Sequence, residues 1–217
     1  MAESTDTQQI ATLDNVSLTS MGVYMLFDEI NDTSAKAACE FLLKSNLLFP
    51  SENVITLFIN SPGGSVTDGW AIIDVMETSH VGIQTVGIGE IASMGATIFV
   101  AGDKGRRVLS KNAAVMTHQF AAYLYGKAHE MVAARKFHDK LENQFIQHFV
   151  KNTKMTAKQV RDILLRESDT WLEPKECLKY GMCDIVSDPW KTFQAAAKQV
   201  ERTTSKKQLV KKTTIKK

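Results

Sequence analysis

Short apolar runs alternate with stretches of helical spacing along most of the chain. Gly22-Val23-Tyr24-Met25-Leu26-Phe27 reads as a strand. Thr33 to Leu43 repeats apolar positions at helical intervals (Ala37, Ala38, Phe41, Leu42), with Thr33 or Ser34 as the cap. Val54 to Ile59 is a largely apolar run rich in β-branched residues, the pattern of a buried strand. A helix is expected near Thr67 to Thr78. Ile83 to Ile88 is a second buried strand, and a helix beyond Ser93 runs to about Val100. Ala113 to Thr117 is a further short strand that ends at His118.

This alternation predicts repeated βαβ units and a mainly parallel sheet, hence an α/β fold. Glu130 to Val150 predicts a helix longer than the others, able to project toward a partner. Phe137, Leu141, Phe145 and Phe149 form its apolar stripe. Met155 to Leu165 predicts a second amphipathic helix. Trp171-Leu172-Glu173-Pro174 opens another, closed by Gly181, and Cys183 to Ser187 is a last short strand. Residues 1–20 are Ser/Thr/Gln-rich and predict a flexible arm, and residues 202–217 a disordered basic tail. The domain between them spans 21–201.

Composition narrows the class. Of 217 residues, 44% are hydrophobic, enough for a sizeable core. Seven of the 26 Lys/Arg fall within residues 202–217, which hold no acid; the remainder carries 19 bases against 24 acids. Such a tail is expected to be a solvated one. It has no interleaved aromatics for stacking bases, which argues against nucleic acid. The three cysteines (Cys39, Cys177, Cys183) are an odd number without metal-ligand spacing, so a reducing, cytosolic setting is expected and no metal. The first twenty residues lack the apolar segment of a signal peptide, and no run is long enough to span a membrane. There is no phosphate-loop pattern and no cofactor is predicted; any ATP must be used by a separate protein. Trp70, Trp171 and Trp190 are expected to be packing residues.

The chemistry concentrates in two segments. Asn60-Ser61-Pro62-Gly63-Gly64-Ser65 and Gly89-Glu90-Ile91-Ala92-Ser93-Met94-Gly95-Ala96 each follow a buried strand and place small residues where a helix should begin. A serine at such a turn lies beside free backbone N–H groups, and a second glycine-rich turn can add another, which is how an oxyanion hole is built around a nucleophile. Taken alone, Gly63-Gly64 is more simply a tight turn and Ser93 a helix cap; together they favour a reaction centre. A serine nucleophile needs a base. His118, at the end of a strand where ligands collect in parallel sheets, is the best placed. The other histidines are His80, His129, His138 and His148, of which the last three lie on or near the long helix and are expected to be solvated rather than catalytic. Many acids could orient the histidine.

From Gly22 to Val186 the chain resembles the proteolytic subunit of the Clp protease, a self-compartmentalising serine peptidase with a ClpP/crotonase-like fold. The resemblance lies in Phe58-Ile59-Asn60-Ser61-Pro62-Gly63-Gly64, in Ala92-Ser93-Met94-Gly95, in Met116-Thr117-His118-Gln119 and, more weakly, in Asp169-Thr170-Trp171-Leu172 followed by Glu176 to Val186. It implies Ser93 as nucleophile, His118 as general base and Asp169 as the acid of the triad. It implies backbone N–H groups of Gly64 and Met94 as the oxyanion hole. It also implies heptameric rings stacked as a tetradecamer, the long helix as the handle between rings, an AAA+ unfoldase partner and unfolded polypeptides as substrates.

The chain departs from that family in its N-terminal segment Thr12 to Met21, in Ser168 and Thr170 beside Asp169, in Ala121-Ala122-Tyr123 after the histidine, and in the basic tail. Two rival readings remain at this level. One is a crotonase-like enzyme acting on acyl-CoA, against which Ala-Ser-Met-Gly and the following histidine argue. The other is a non-catalytic or partner-activated ring subunit, against which the retention of all three triad candidates argues.

Overall fold

The computed structural model describes residues 17–121, 126–191 and 193–194. The expected arm at 1–20 lies mostly outside these residues, and the tail at 202–217 wholly so. A 3₁₀ turn at Leu18–Met21 leads into β1 (Val23–Leu26), α1 (Asp32–Leu48), β2 (Val54–Ser61), α2 (Val66–Glu77), β3 (Gly82–Ala92) and α3 (Met94–Val100). Next come β4 (Arg107–Leu109), β5 (Ala114–Thr117) and the long α4 (Ala128–Asn152). A short α5 (Ala157–Gln159) passes into a π-helical turn, Val160–Leu164. Then follow β6 (Thr170–Leu172), α6 (Pro174–Tyr180) and β7 (Ile185–Val186).

The seven strands form one sheet in the order β1-β2-β3-β4-β7, with β5 pairing both β3 and β6. All pairs are parallel except β5 with β6. The expected α/β architecture is therefore present, with one antiparallel corner. In β2, Ile55, Leu57 and Ile59 face a large core shared with the helices, while Phe58 joins Val23, Val86 and Val108 on the opposite face. Both faces are largely apolar, which is why β2 reads as a hydrophobic run interrupted before Asn60 only by the buried Thr56.

Several boundaries differ from the sequence reading for physical reasons. Helix α1 is capped by Asn31, not Thr33 or Ser34: its carboxamide oxygen accepts from Thr33 N and Ser34 N, and Ser34 Oγ in turn accepts from Asn31 N. Strand β3 does not stop at Ile88 but continues through Gly89 and Glu90 to Ala92. Its pairing with β2 shifts from Ile59↔Gly87 to Ser61↔Ile91, so β3 carries extra residues there. Gly89 adopts φ 64°, and the Asn60 side chain holds Glu90 N at 3.0 Å across the irregularity. Above the bulge β3 exchanges β4 for β5 as its neighbour. Trp171 and Leu172 belong to strand β6, and the helix starts only at Pro174.

The stripe on α4 is buried only toward its C-terminal end. Leu141, Phe145 and Phe149 are in the core, whereas Phe137 is 47% exposed. Two of the tryptophans also differ from expectation. Trp70 is in the core, but Trp171 and Trp190 are exposed. His148, expected on a solvated face, is 5% exposed.

Candidate active site

Four adjacent strand ends bring the candidate residues together. Strand β3 pairs with β5 through Ala92↔Met116, so Ser93 leaves β3 beside the end of β5. The ladder carries one bond further, from Ser93 N to Met116 O at 2.8 Å. Strand β5 pairs antiparallel with β6 through Thr117↔Thr170. Continuing that register by one residue sets His118 opposite Asp169. On the other side of β3, β2 ends at Ser61 and its turn carries Gly63 and Gly64.

The side chains meet accordingly. Ser93 Oγ and His118 Nε2 are 2.7 Å apart. His118 Nδ1 lies 3.5 Å from Asp169 Oδ1, longer than an ordinary hydrogen bond. The imidazole is 30% exposed and the carboxylate 55%. A serine hydroxyl donating to Nε2 leaves the imidazole proton on Nδ1, the nitrogen facing the carboxylate.

Ser93 is held in an uncommon backbone state. Its φ of 53° is the only positive value outside glycine among the described residues. Such a conformation costs on the order of 1–3 kcal/mol and needs its surroundings to enforce it. Ser93 N is fixed by Met116 O, and Ser93 O accepts from both Thr97 N and Thr97 Oγ1 at 3.2 Å. The Gly63 turn lies directly against it: a Cβ on Gly63 would stand 2.7 Å from Ser93 Cβ and 2.9 Å from Met94 N. Only glycine permits that approach.

The two candidate amides have a defined direction. Ile30 N donates to Gly63 O at 2.7 Å. In a planar trans peptide the next N–H, that of Gly64, points the opposite way. Ser93 O is likewise taken up by Thr97, so the N–H of Met94 points out of the start of α3. Among the described residues neither amide has a hydrogen-bond partner.

Beside Ser93 lies a small cavity of ≈ 20 Å³. Its walls include Met94, Thr117, Phe120, Phe145 and Phe149. Helix α4 supplies the last two. The same helix reaches under the serine's own helix through His148, whose Nε2 lies 3.0 Å from Thr97 O, while Nδ1 faces Asn152 Nδ2 at 3.3 Å. Burial pushes the His148 imidazole down to about 4, and the bond to Thr97 O only partly opposes this. Sequence reasoning had no signal for this link, because one histidine in a helical pattern does not reveal which side it faces.

A hydroxyl, an imidazole and a carboxylate in sequence at the ends of α/β strands is the constellation of serine hydrolases. The comparisons with known proteins give the family. The pattern that defines the Clp protease family matches residues 7–189, and the chain belongs to that family. The ATP-dependent Clp protease proteolytic subunit 2 of Nocardia farcinica is 36% identical over 167 residues, covering 76% of this chain and 79% of the relative. Its namesake in Tropheryma whipplei is 34% identical over 164 residues, covering 76% and 89%. The chloroplastic proteolytic subunit 3 of Arabidopsis thaliana is 36% identical over 176 residues, covering 78% and 54%. Among the described residues no helix is long and apolar enough to cross a membrane.

Proposed function

We propose that this chain is a serine endopeptidase, the proteolytic subunit of a Clp-type protease. The observation that carries the reading is the alignment of Ser93, His118 and Asp169 at the ends of β3, β5 and β6. Ser93 Oγ attacks the scissile carbonyl while His118 Nε2 takes its proton. The carbonyl oxygen becomes an oxyanion, received by the N–H groups of Gly64 and Met94. His118 returns the proton to the leaving amine, and the amide C–N bond breaks. Water then attacks the acyl carbonyl as His118 takes its proton, and His118 passes that proton to Ser93 Oγ as the ester C–O bond breaks and the acid leaves. Asp169 keeps the imidazole in the tautomer this cycle needs and balances its charge once protonated.

The assembly follows the family: heptameric rings stacked as a tetradecamer, fed with unfolded polypeptides by an AAA+ unfoldase that uses the ATP. The names of the two bacterial relatives, ATP-dependent Clp protease proteolytic subunits, support the dependence on ATP. The exposed apolar side chains Leu43, Leu47 and Leu48 at the end of α1, which suit burial between protomers, support association into rings. The peptidase domain spans 21–201 and works in a reducing compartment such as the cytosol, where Cys39, Cys177 and Cys183 stay free thiols. A crotonase-like acyl-CoA enzyme would have no use for a hydroxyl engaged by an imidazole. A passenger subunit would have no use for the strained Ser93 backbone.

A fluorophosphonate probe tests the reading. It is expected to modify the purified protein at Ser93, read by peptide mass spectrometry, and to leave Ser93→Ala and His118→Ala unmodified. Labelling elsewhere, or none at all in the assembled ring, would overturn it.

A further inference from the structure

Helix α3 is short, and the carbonyls at its end find partners outside it. In a continued helix the N–H of Ala101 would reach Thr97 O; here it donates to Ile98 O instead. Phe99 O accepts from Gly102 N and from Thr85 Oγ1 of β3. Thr97 O is left to a side chain of another helix, His148, whose Nε2 lies 3.0 Å away. A carbonyl only accepts, so that nitrogen carries the proton. The other ring nitrogen, Nδ1, then accepts from Asn152 Nδ2 at 3.3 Å. Both neighbours call for the same neutral tautomer, and burial, which drives the ring pKa down to about 4, preserves it. The charges that act on the ring, Glu77 of α2 and Lys151 of α4, are paired with one another at 2.8 Å. Asn152 is anchored in turn, since its carbonyl accepts from Arg107, the partner of Asp184.

Resting on the peptidase reading above, we propose that His148 is a positioning residue for Ser93, acting through Thr97: its imidazole N–H caps the nucleophile's helix and so holds the Ser93–Met94 peptide in its reactive orientation. Thr97 N and Thr97 Oγ1 both donate to Ser93 O. That carbonyl lies in the same peptide plane as the Met94 N–H, so what fixes one fixes the other. Thr97 thereby helps to enforce the positive φ of Ser93 and the direction of an oxyanion donor. Thr97 is 2% exposed, out of reach of bulk water. Without His148 its carbonyl would be a buried acceptor lacking this donor, and the turn would shift to find another. Packing on Trp70 and Phe149 would be served by an apolar side chain. Only the polar contacts call for an imidazole.

The test compares the full-length assembled wild type with His148→Gln, His148→Asn and His148→Leu. The carboxamide nitrogen of glutamine reaches where an imidazole Nε2 lies; that of asparagine reaches only as far as Nδ1. Rings are isolated by size exclusion. Reactive serines are counted by labelling one sample to completion with a fluorophosphonate. A parallel sample gives kcat and KM for a fluorogenic peptide, expressed per reactive serine at neutral pH. His148→Gln is expected to keep kcat within about twofold of wild type, because the donor to Thr97 O is restored. His148→Asn and His148→Leu are expected to lower kcat by about tenfold or more with KM unchanged, since a displaced nucleophile and oxyanion donor weaken the transition state rather than the bound substrate. A histidine that only supported the fold would alter ring yield or melting and leave kcat per serine as it was. Wild-type kcat in His148→Leu rings, equal kcat in His148→Gln and His148→Asn, or a loss carried by KM would each overturn the proposal. Where His148→Leu forms no rings, the contrast between glutamine and asparagine decides alone. If the fluorophosphonate does not label Ser93 in the wild type, it is the peptidase reading that fails, and this inference falls with it.

Discussion

Gly63 lies so close to Ser93 that a methyl group on the glycine would stand 2.7 Å from the serine Cβ. The turn after β2 thereby fixes the position of a residue that leaves β3. Gly63 also has φ 92°, which side chains rarely adopt. Gly63→Ala is expected to push Ser93 and Met94 away from the histidine, lowering kcat by roughly 10²-fold, the penalty of a small misplacement. Steady-state kinetics beside a circular dichroism spectrum checks this: activity falls while the fold persists.

Asp169 touches the imidazole less closely than Ser93 does, at 3.5 Å, and is more than half exposed. In the proposed mechanism it orients His118 and stabilises the imidazolium. Asp169→Asn is expected to lower kcat by up to roughly 10⁴-fold with little change in stability. Matched kcat and denaturation measurements separate the two effects.

His148 predicts a pH dependence of stability. Its imidazole is buried on Trp70 and Phe149 and has its pKa lowered to about 4. The unfolded chain therefore binds this proton at higher pH than the folded one. Stability is full above the unfolded value near 6.5, is lost as pH falls toward 4, and levels off below that. The difference amounts to about 3 kcal/mol. Urea midpoints for wild type and His148→Gln between pH 7 and 4 should converge as pH falls, since the variant lacks this slope.

Arg107 and Asp184 join β4 to the segment before β7. The guanidinium is 3% exposed; its Nη2 lies 2.7 Å from Asp184 Oδ1 and its Nε donates to Oδ2 at 2.9 Å. Gly105 N and Arg107 N donate to the same carboxylate, and Arg107 Nη1 donates to Asn152 O at the end of α4. Burial alone would raise the Asp184 pKa, but these bonds outweigh it and hold the group below the usual carboxylate range. Its stabilisation is therefore present at neutral pH and fades as pH drops through that lowered value. Asp184→Asn leaves a buried guanidinium without its counter-charge and is expected to cost about 3–5 kcal/mol in chemical denaturation.

The parts of this fold legible in the sequence are those whose pattern is local. β2 is one apolar run, and Ser93 and Gly63 follow runs of the same kind. The parts that were not legible depend on pairing between distant segments. β4 has three residues and β6 three, too short for any periodicity to register. Gly89 and Glu90 break the apolar pattern of β3, yet the strand continues because Asn60 bridges the bulge. Asp169 could be chosen among many acids only by resemblance, because what brings it to His118 is the antiparallel register of β5 and β6. The environment of His148 likewise comes from α4 packing beneath α3.

The most direct test of the central claim is cleavage of a short fluorogenic peptide by the purified wild type and by Ser93→Ala, with native mass recorded for each. The account predicts ring-sized assemblies in both and hydrolysis in the wild type alone, with the variant lower by roughly a millionfold if the subtilisin precedent holds. Hydrolysis that survives in Ser93→Ala at wild-type rate, or an assembled ring that neither cleaves peptide nor acylates at Ser93, would contradict it.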